Sequence, residues 1–346
     1  MDNLRIGVIY WERTGSSNTY FGHHISKSLS PSKYRDRTPF YADVISKEEI
    51  AFHKTTQEEF DVELQYAIDA GIDYFAYTWN SDEKENRMDF PQGTCEQIKN
   101  QLDEEDNCRR KLHTKSALKN KIKLCAILLC GNSFSDNDIE KLIHETKQDY
   151  YEKIDSRPLI YLYGGYRTDF IERLKKSAEK NNSPEPYIAF IDNGAISENN
   201  DYSMANAVSG YSYAEKNLTS YSEFCKSLIE KNEDRKKFGL DIIPLFSLGW
   251  NATPRVDNTV PWYQTYDTSK FSPVPTDQEL KDNAIAFGKW YNENMKHIKN
   301  QHVIVFAWNE FEEGAWLCPT YTNNLNLNFS RIKTFAQITN IWKSNH

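Results

Sequence analysis

The chain has 346 residues, a net charge of −8 and 39% hydrophobic residues, with a mean hydropathy of −0.74. An acidic chain repels phosphate backbones, which argues against nucleic acid as a partner. No apolar run reaches the ~18 residues of a membrane span. Met1-Asp2-Asn3-Leu4-Arg5 enters an apolar run with no basic n-region and apolar h-region ahead of it, so a cytoplasmic protein is expected; a secreted chain already trimmed of its leader would read the same way.

The cysteines are Cys95, Cys108, Cys125, Cys130, Cys225 and Cys318. No pair has metal-ligand spacing, and reduced thiols are expected. The 21 Tyr, 18 Phe and 8 Trp fall in part at the ends of predicted strands, where ring faces suit sugar stacking but also serve as ordinary core and rim.

The first predicted strand is Leu4 to Tyr10, ending at Tyr10-Trp11. A connection from Glu12 to Thr56 follows, with little apolar period, and a loop of that length in a compact domain is usually functional. Gln57 to Ala70 reads as an amphipathic helix with Phe60, Leu64, Ala67 and Ile68 on one face and Gly71 as its stop. The second strand, Ile72 to Thr78, ends at Trp79-Asn80. Ser81 to Lys121 is charged and reads as a solvated helical excursion.

Ile122 to Leu129 is the third strand, ending at Cys130-Gly131-Asn132, and a helix is predicted over Asp136 to Tyr151. Pro158 to Tyr163 and Tyr187 to Ile191 are the next two strands, separated by a helix from Arg167 to Lys180. The fifth strand opens onto Asp192-Asn193-Gly194, and Ala207 to Tyr211 is a short sixth. After a helix over Ser220 to Lys236, the seventh strand runs Asp241 to Leu248 and ends at Gly249-Trp250-Asn251. A Pro-containing loop, Ala252 to Pro275, leads to a helix over Asp277 to His297. The eighth strand starts at His302, and Arg331 to Lys343 is a final helix.

Eight short apolar strands alternating with helices predict a parallel sheet with right-handed crossovers. The expected fold is α/β, a single closed (β/α)8 TIM barrel with long βα loops, with residues 1–346 as one domain. No Gly-x-Gly-x-x-Gly follows the first strand, which argues against a dinucleotide fold.

In such a barrel the C-terminal strand ends share one face. Here they present Tyr10, Trp11, Trp79, Asn80, Asn132, Tyr163, Asp192, Asn193, Tyr211, Trp250, Asn251, Trp308, Asn309 and Glu310, with Arg255, His23 and His24 nearby. Amides, acids and aromatics with little fixed positive charge suit a neutral polyhydroxylated ligand; the competing reading is that these side chains cap helices or fill the rim. Glu310 and Glu313, three apart in a turn, project to one side, and glycosidic cleavage needs such a carboxyl pair. Glu312 is expected to face outward as a first-turn acid. No metal motif, G-x-S-x-G or Cys–His pairing is found, so no metal or other cofactor is expected.

Ala307-Trp308-Asn309-Glu310-Phe311-Glu312-Glu313-Gly314, continuing to Leu317-Cys318-Pro319, resembles the Asn-Glu-Trp-x-Glu-Gly…Leu-Glu-Pro signature of the glycoside hydrolase family 99-like proteins, the endo-α-mannosidases and related barrels of bacterial polysaccharide gene clusters. Gly249-Trp250-Asn251-Ala252-Thr253-Pro254-Arg255 is similar to their Gly-Trp-Asp-Asn-Thr-x-Arg segment, and Asp69 to Phe75 and Arg157 to Ile160 also match in kind. The resemblance implies a metal-free barrel. It also implies Glu310 as base on the sugar 2-hydroxyl and Glu313 as general acid and then base, with net retention. Two departures, Cys318 for the acid of Leu-Glu-Pro and Asn251-Ala252 for Asp-Asn, are expected to remove sugar contacts. The reading is a glycosidase acting on a carbohydrate substrate; the alternatives are a glycosyl-transfer role in polysaccharide assembly and a non-catalytic glycan-binding barrel.

Overall fold

The structure is a computed structural model that describes residues 4–79, 93–105, 108–130, 134–192, 202–212, 217–262 and 265–345. Its centre is a curled parallel sheet with nine strands on one path. In spatial order they are Asp241–Ile242, Ala207–Gly210, Tyr187–Asp192, Arg157–Tyr163, Lys123–Leu129, Tyr74–Trp79, Arg5–Tyr10, His302–Phe306 and Leu245–Ser247. The short strand Lys153–Ile154 adds an antiparallel pairing to the start of Arg157–Tyr163. Val, Ile, Leu and aromatic residues dominate these strands and are buried on both faces, as parallel sheets between helices require.

The path does not close, in contrast to the closed barrel expected from the sequence. Its two edges are successive pieces of the run predicted as one strand, separated by Ile243 and Pro244. Pro244 has no N–H to donate, so the ladder is interrupted there. Backbone bonds still reach out on either side: Ile243 N–H donates to Val208 O at 3.0 Å, and Ile304 N–H to Pro244 O at 3.0 Å.

The connection after the first strand is structured, not a loop. It holds the helix Tyr20–Leu29, a 3₁₀ turn Ser32–Arg37 and a hairpin of Ala42–Ser46 with Glu49–Phe52. Thr19 caps the helix by accepting the Gly22 N–H. Its buried face mixes Tyr20, Phe21, Ile25 and Leu29 with Gly22, Ser26 and Ser28, which hides the apolar period. The excursion after the second strand, of which 81–92 and 106–107 lie outside the described residues, is helical but only partly solvated. Helices Cys95–Glu105 and Arg109–Lys115 bury Gln101, Arg109, Arg110 and His113. The helix predicted to reach Tyr151 ends at Thr146.

Helix Gln57–Asp69 starts in a capping box of Thr56 and Glu59. The last helix, Ser330–Ser344, packs on Asp277–Glu293 through Trp342, whose Nε1–H donates to Ala284 O at 2.8 Å. At the N-terminal strand ends, Arg5 bonds Glu152 at 2.6 Å and Asp73 at 3.2 Å, and His302 Nε2 lies 3.1 Å from Glu152. Inside the curl the hydroxyls of Tyr74 and Tyr161 meet at 3.0 Å across the intervening strand.

Gly7 makes room for that bridge: a Cβ there would stand 2.0 Å from the Tyr74 ring. Gly7→Ala is therefore expected to overpack the interior and cost about 1–3 kcal/mol. A urea midpoint that falls with an unchanged slope checks this.

Candidate functional site at the end of the eighth strand

Strand His302–Phe306 carries the chain through Ala307 and Trp308 into a tight hairpin, Asn309–Glu310 against Ala315–Trp316, whose turn is the 3₁₀ segment Phe311–Glu313. Gly314 closes it with φ +79°, a left-handed conformation glycine adopts without strain. A Cβ at Gly314 would also approach Asn251 backbone and side chain to 2.9 Å. That closeness lets Asn251 N–H donate to Glu313 O at 2.6 Å, joining the seventh and eighth strand ends.

The turn gathers three carboxylates on one cation. Arg255, from the short helix Thr253–Asp257, donates from Nη1 to Glu313 Oε1 at 2.5 Å and from Nη2 to Glu312 Oε1 at 2.8 Å. Its Nη2 is 4.0 Å from Glu310 Oε2. Trp250 Nε1–H donates to Glu313 Oε2 at 3.3 Å, and Tyr211 O–H to Glu310 Oε1 at 3.5 Å. Glu310 immediately precedes the 3₁₀ turn and Glu313 ends it, and both carboxylates lie within 4.0 Å of Arg255. Burial, then the charges of Glu313 and Glu312, push the Glu310 carboxyl well above its ordinary range, while Arg255 and Tyr211 pull it down. The same carboxylates hold the Arg255 guanidinium firmly protonated against its burial.

Glu312 is not the outward acid expected from the sequence. It is 2% exposed and ion-paired, because Arg255 reaches across the turn from the neighbouring strand end. Of the candidate ligand contacts, Tyr211, Trp250 and Arg255 come to the carboxylates. Trp11 is half-buried, its backbone bonded in both directions to the Asn309 amide at 2.8 and 2.7 Å. Asn309 is therefore spent on holding the first strand end to the eighth.

Tyr10 and Trp308 are fully buried and turn to helix Gln57–Asp69. The Tyr10 hydroxyl and the Trp308 indole N–H both donate to Glu63 Oε1, at 2.7 and 2.6 Å. Trp79 is buried under the Arg110 guanidinium, 3.6 Å from its ring centre. Asp192 lies 3.8 Å from Arg235, itself buried over Gly210. The Asn251 amide is occupied by Ser272 O at 3.0 Å, Thr253 Oγ1 at 2.6 Å and Arg37 Nη2 at 3.3 Å. In the structure the polar groups or rings of Tyr10, Trp79, Asp192, Asn251, Trp308 and Asn309 thus meet partners within the chain. Asn80, Asn132 and Asn193 lie outside the described residues.

The two departures from the family pattern are also core features. Cys318 is buried, its thiol pushed up by burial and by nearby Glu63. Asn251 and the buried Ala252 belong to the loop packing above. The long first connection does reach the site: Trp262, 6.0 Å from Arg255, packs on Phe21 at 4.9 Å and His24 at 5.8 Å. Burial and the neighbouring His23 and Lys27 lower the His24 imidazole to about 4, so it is neutral in ordinary buffers. Among the described residues, no group of three His, Cys, Asp or Glu side chains is placed to hold a metal ion, and no helix is long and apolar enough to cross a membrane. All six cysteines are free.

No protein-family model matches the chain, and no curated protein does. Two solved structures of the GH99 endo-α-mannosidase from Bacteroides thetaiotaomicron do match in three dimensions. One, in complex with bis-tris-propane, has a TM-score of 0.59 at 12% identity, covering 99% of this chain and 98% of that one. The other has the same TM-score at 13% identity and covers 98% of both. This chain shares the fold of that endo-α-mannosidase. The similarity to glycoside hydrolase family 99 read from the strand-eight motif thus extends to the whole architecture, a mixed α/β, TIM-barrel-like curl.

Glu63 was missed in the sequence, although its place between Phe60 and Leu64 on the apolar helix face was a signal. It also faces Arg109, whose Nε is 3.7 Å from Oε2, while Arg109 donates to Thr14 O at 2.7 Å and covers the Tyr41 ring. Glu63→Ala would strand Arg109, Tyr10 and Trp308 without their acceptor. A buried pair broken on one side costs about 3–5 kcal/mol, and chemical denaturation of the variant is expected to show a loss of that size.

Proposed function

We propose that this chain is a glycoside hydrolase that cleaves a glycosidic bond in an oligo- or polysaccharide. The observation that carries the reading is the pair Glu310 and Glu313, held on Arg255 at the end of the eighth strand with Tyr211 and Trp250 on their oxygens. Two carboxyls on one edge, in unequal surroundings, can divide proton donation from proton acceptance. That chemistry needs no metal. We read residues 1–346 as a single domain of TIM-barrel-like α/β architecture, its sheet interrupted at Pro244. Sharing the fold of an endo-α-mannosidase supports the reading, and the family resemblance implies retention.

A glycosyltransferase using a nucleotide-activated donor fits less well, because Arg255 is already engaged by carboxylates and offers phosphate little. The non-catalytic glycan-binding reading has one observation in its favour: Glu313 is ion-paired with Arg255 at 2.5 Å. Against it, the Glu313 side chain keeps 16% exposure.

Hydrolysis of a glycan panel, followed by reducing-end release, tests the proposal. Glu313→Gln is expected to lower turnover by about a hundredfold or more while calorimetry still detects oligosaccharide binding. Binding by the unsubstituted protein without turnover of any glycan would leave the binding barrel as the surviving reading. In the proton spectrum of the first-formed product, the substrate's anomeric configuration is expected; the opposite anomer would remove retention.

A further inference from the structure

A cavity of about 220 Å³ lies where the chain leaving the eighth-strand hairpin meets the starts of helices Asp277–Glu293 and Ser330–Ser344. It is far larger than the ~10–15 Å³ that admits one water. None of the groups gathered on Arg255 lines it; Trp316 and Arg331 do. The Arg331 guanidinium lies over the Trp316 ring, 3.9 Å from its centre.

Arg331 is a cation with few partners. Its one hydrogen bond among the described residues runs from Nη2 to Pro275 O at 3.3 Å, and Nη1 is enclosed without an acceptor. It makes no ion pair among those residues, although Asp36 and Asp277 line the same cavity. Burial draws the guanidinium down to about 10, and Arg37 adds to the fall against Tyr221, Asp277 and Asp36. It is therefore charged at neutral pH, and a shielded charge without a close counter-ion is costly.

The rest of the lining supplies neutral donors. The Thr320 and Ser330 hydroxyls make no hydrogen bond among the described residues. The Asn328 amide uses only its oxygen, which accepts the Ser330 N–H at 2.9 Å. A guanidinium with hydroxyl and amide donors around it suits a carboxylate. The two acids on the lining set the charge: they tolerate a monoanion and repel a dianion.

We infer that this cavity binds a small hydroxylated carboxylate, a hexuronate being its sugar form, with the carboxylate on Arg331 and the hydroxyls on Thr320, Ser330 and Asn328. The inference goes beyond the glycosidase reading and holds whether or not the chain hydrolyses a glycan. A free hydroxy acid carries the same chemistry, and the test separates the two sources.

Calorimetry of the full chain at pH 8 with sodium glucuronate, sodium lactate, glucose and inorganic phosphate tests it. Saturable binding of at least one of the two carboxylates is expected, and the tighter of them names the source. Glucose, the neutral counterpart, and phosphate, a dianion at this pH, are expected to bind about tenfold more weakly or worse. Arg331→Met keeps an apolar stem over Trp316 and removes the charge; it is expected to lose about tenfold or more in carboxylate affinity. Arg331→Lys, a point charge in place of a fork, is expected to lose part of that. No binding of either carboxylate, equally tight binding of glucose or phosphate, or undiminished binding by Arg331→Met overturns the inference. The urea midpoint of Arg331→Met without ligand is expected to be unchanged or higher, because no carboxylate is left unpaired. If the midpoint falls instead, Thr320→Val decides: severalfold weaker carboxylate binding is expected, and unchanged binding overturns the inference.

Discussion

One guanidinium holds the mouth of this sheet together. Arg255 engages carboxylates from a turn that would otherwise be forced open by its own like charges. It is itself placed by the backbone: Asn251 N–H holds the Glu313 carbonyl, and Arg37 donates to Asn251 O at 2.7 Å. The first connection, the seventh strand end and the eighth strand end thus converge on a single balance of buried charge. The balance is incomplete, and burial with like charges beside it raises the Glu310 carboxyl well above its ordinary range.

A second buried acid has closer partners. Glu63 receives the Tyr10 hydroxyl and the Trp308 indole and faces Arg109, and these offset part of the burial that pushes its carboxyl above its ordinary range. It ties the outer faces of the first and eighth strands to one helix, while the Asn309 amide ties their ends. Glu310 follows directly after this anchored pair of residues. Precision at the carboxylates therefore comes from polar contacts behind them and not from the sheet alone.

The same logic explains why polar residues at strand ends were a mixed guide to the site. A strand sends alternate side chains to opposite faces, so about half of any strand-end list points at helices. Tyr10, Trp79 and Asp192 satisfy their polar or ring groups there, with Glu63, Arg110 and Arg235 as partners, and Trp308, past the end of its strand, joins Tyr10 on Glu63. Tyr211, Trp250 and Arg255 take the other direction and reach the carboxylates.

What the amino-acid order determined by itself was local and periodic. The β-branched runs define most of the parallel strands, the Thr56 and Glu59 pair starts its helix, and Glu310 and Glu313 flank one short turn. These follow from sterics and hydrogen bonding within a few residues. Tertiary structure alone decided what those acids meet. Arg255 lies 55 positions or more from them, the burial of Glu312 depends on it, and the interruption at Pro244 matters only because two different strands flank it. Long-range charge pairing leaves no period in a sequence, because any distant basic residue could in principle supply it; only the folded chain selects which one does.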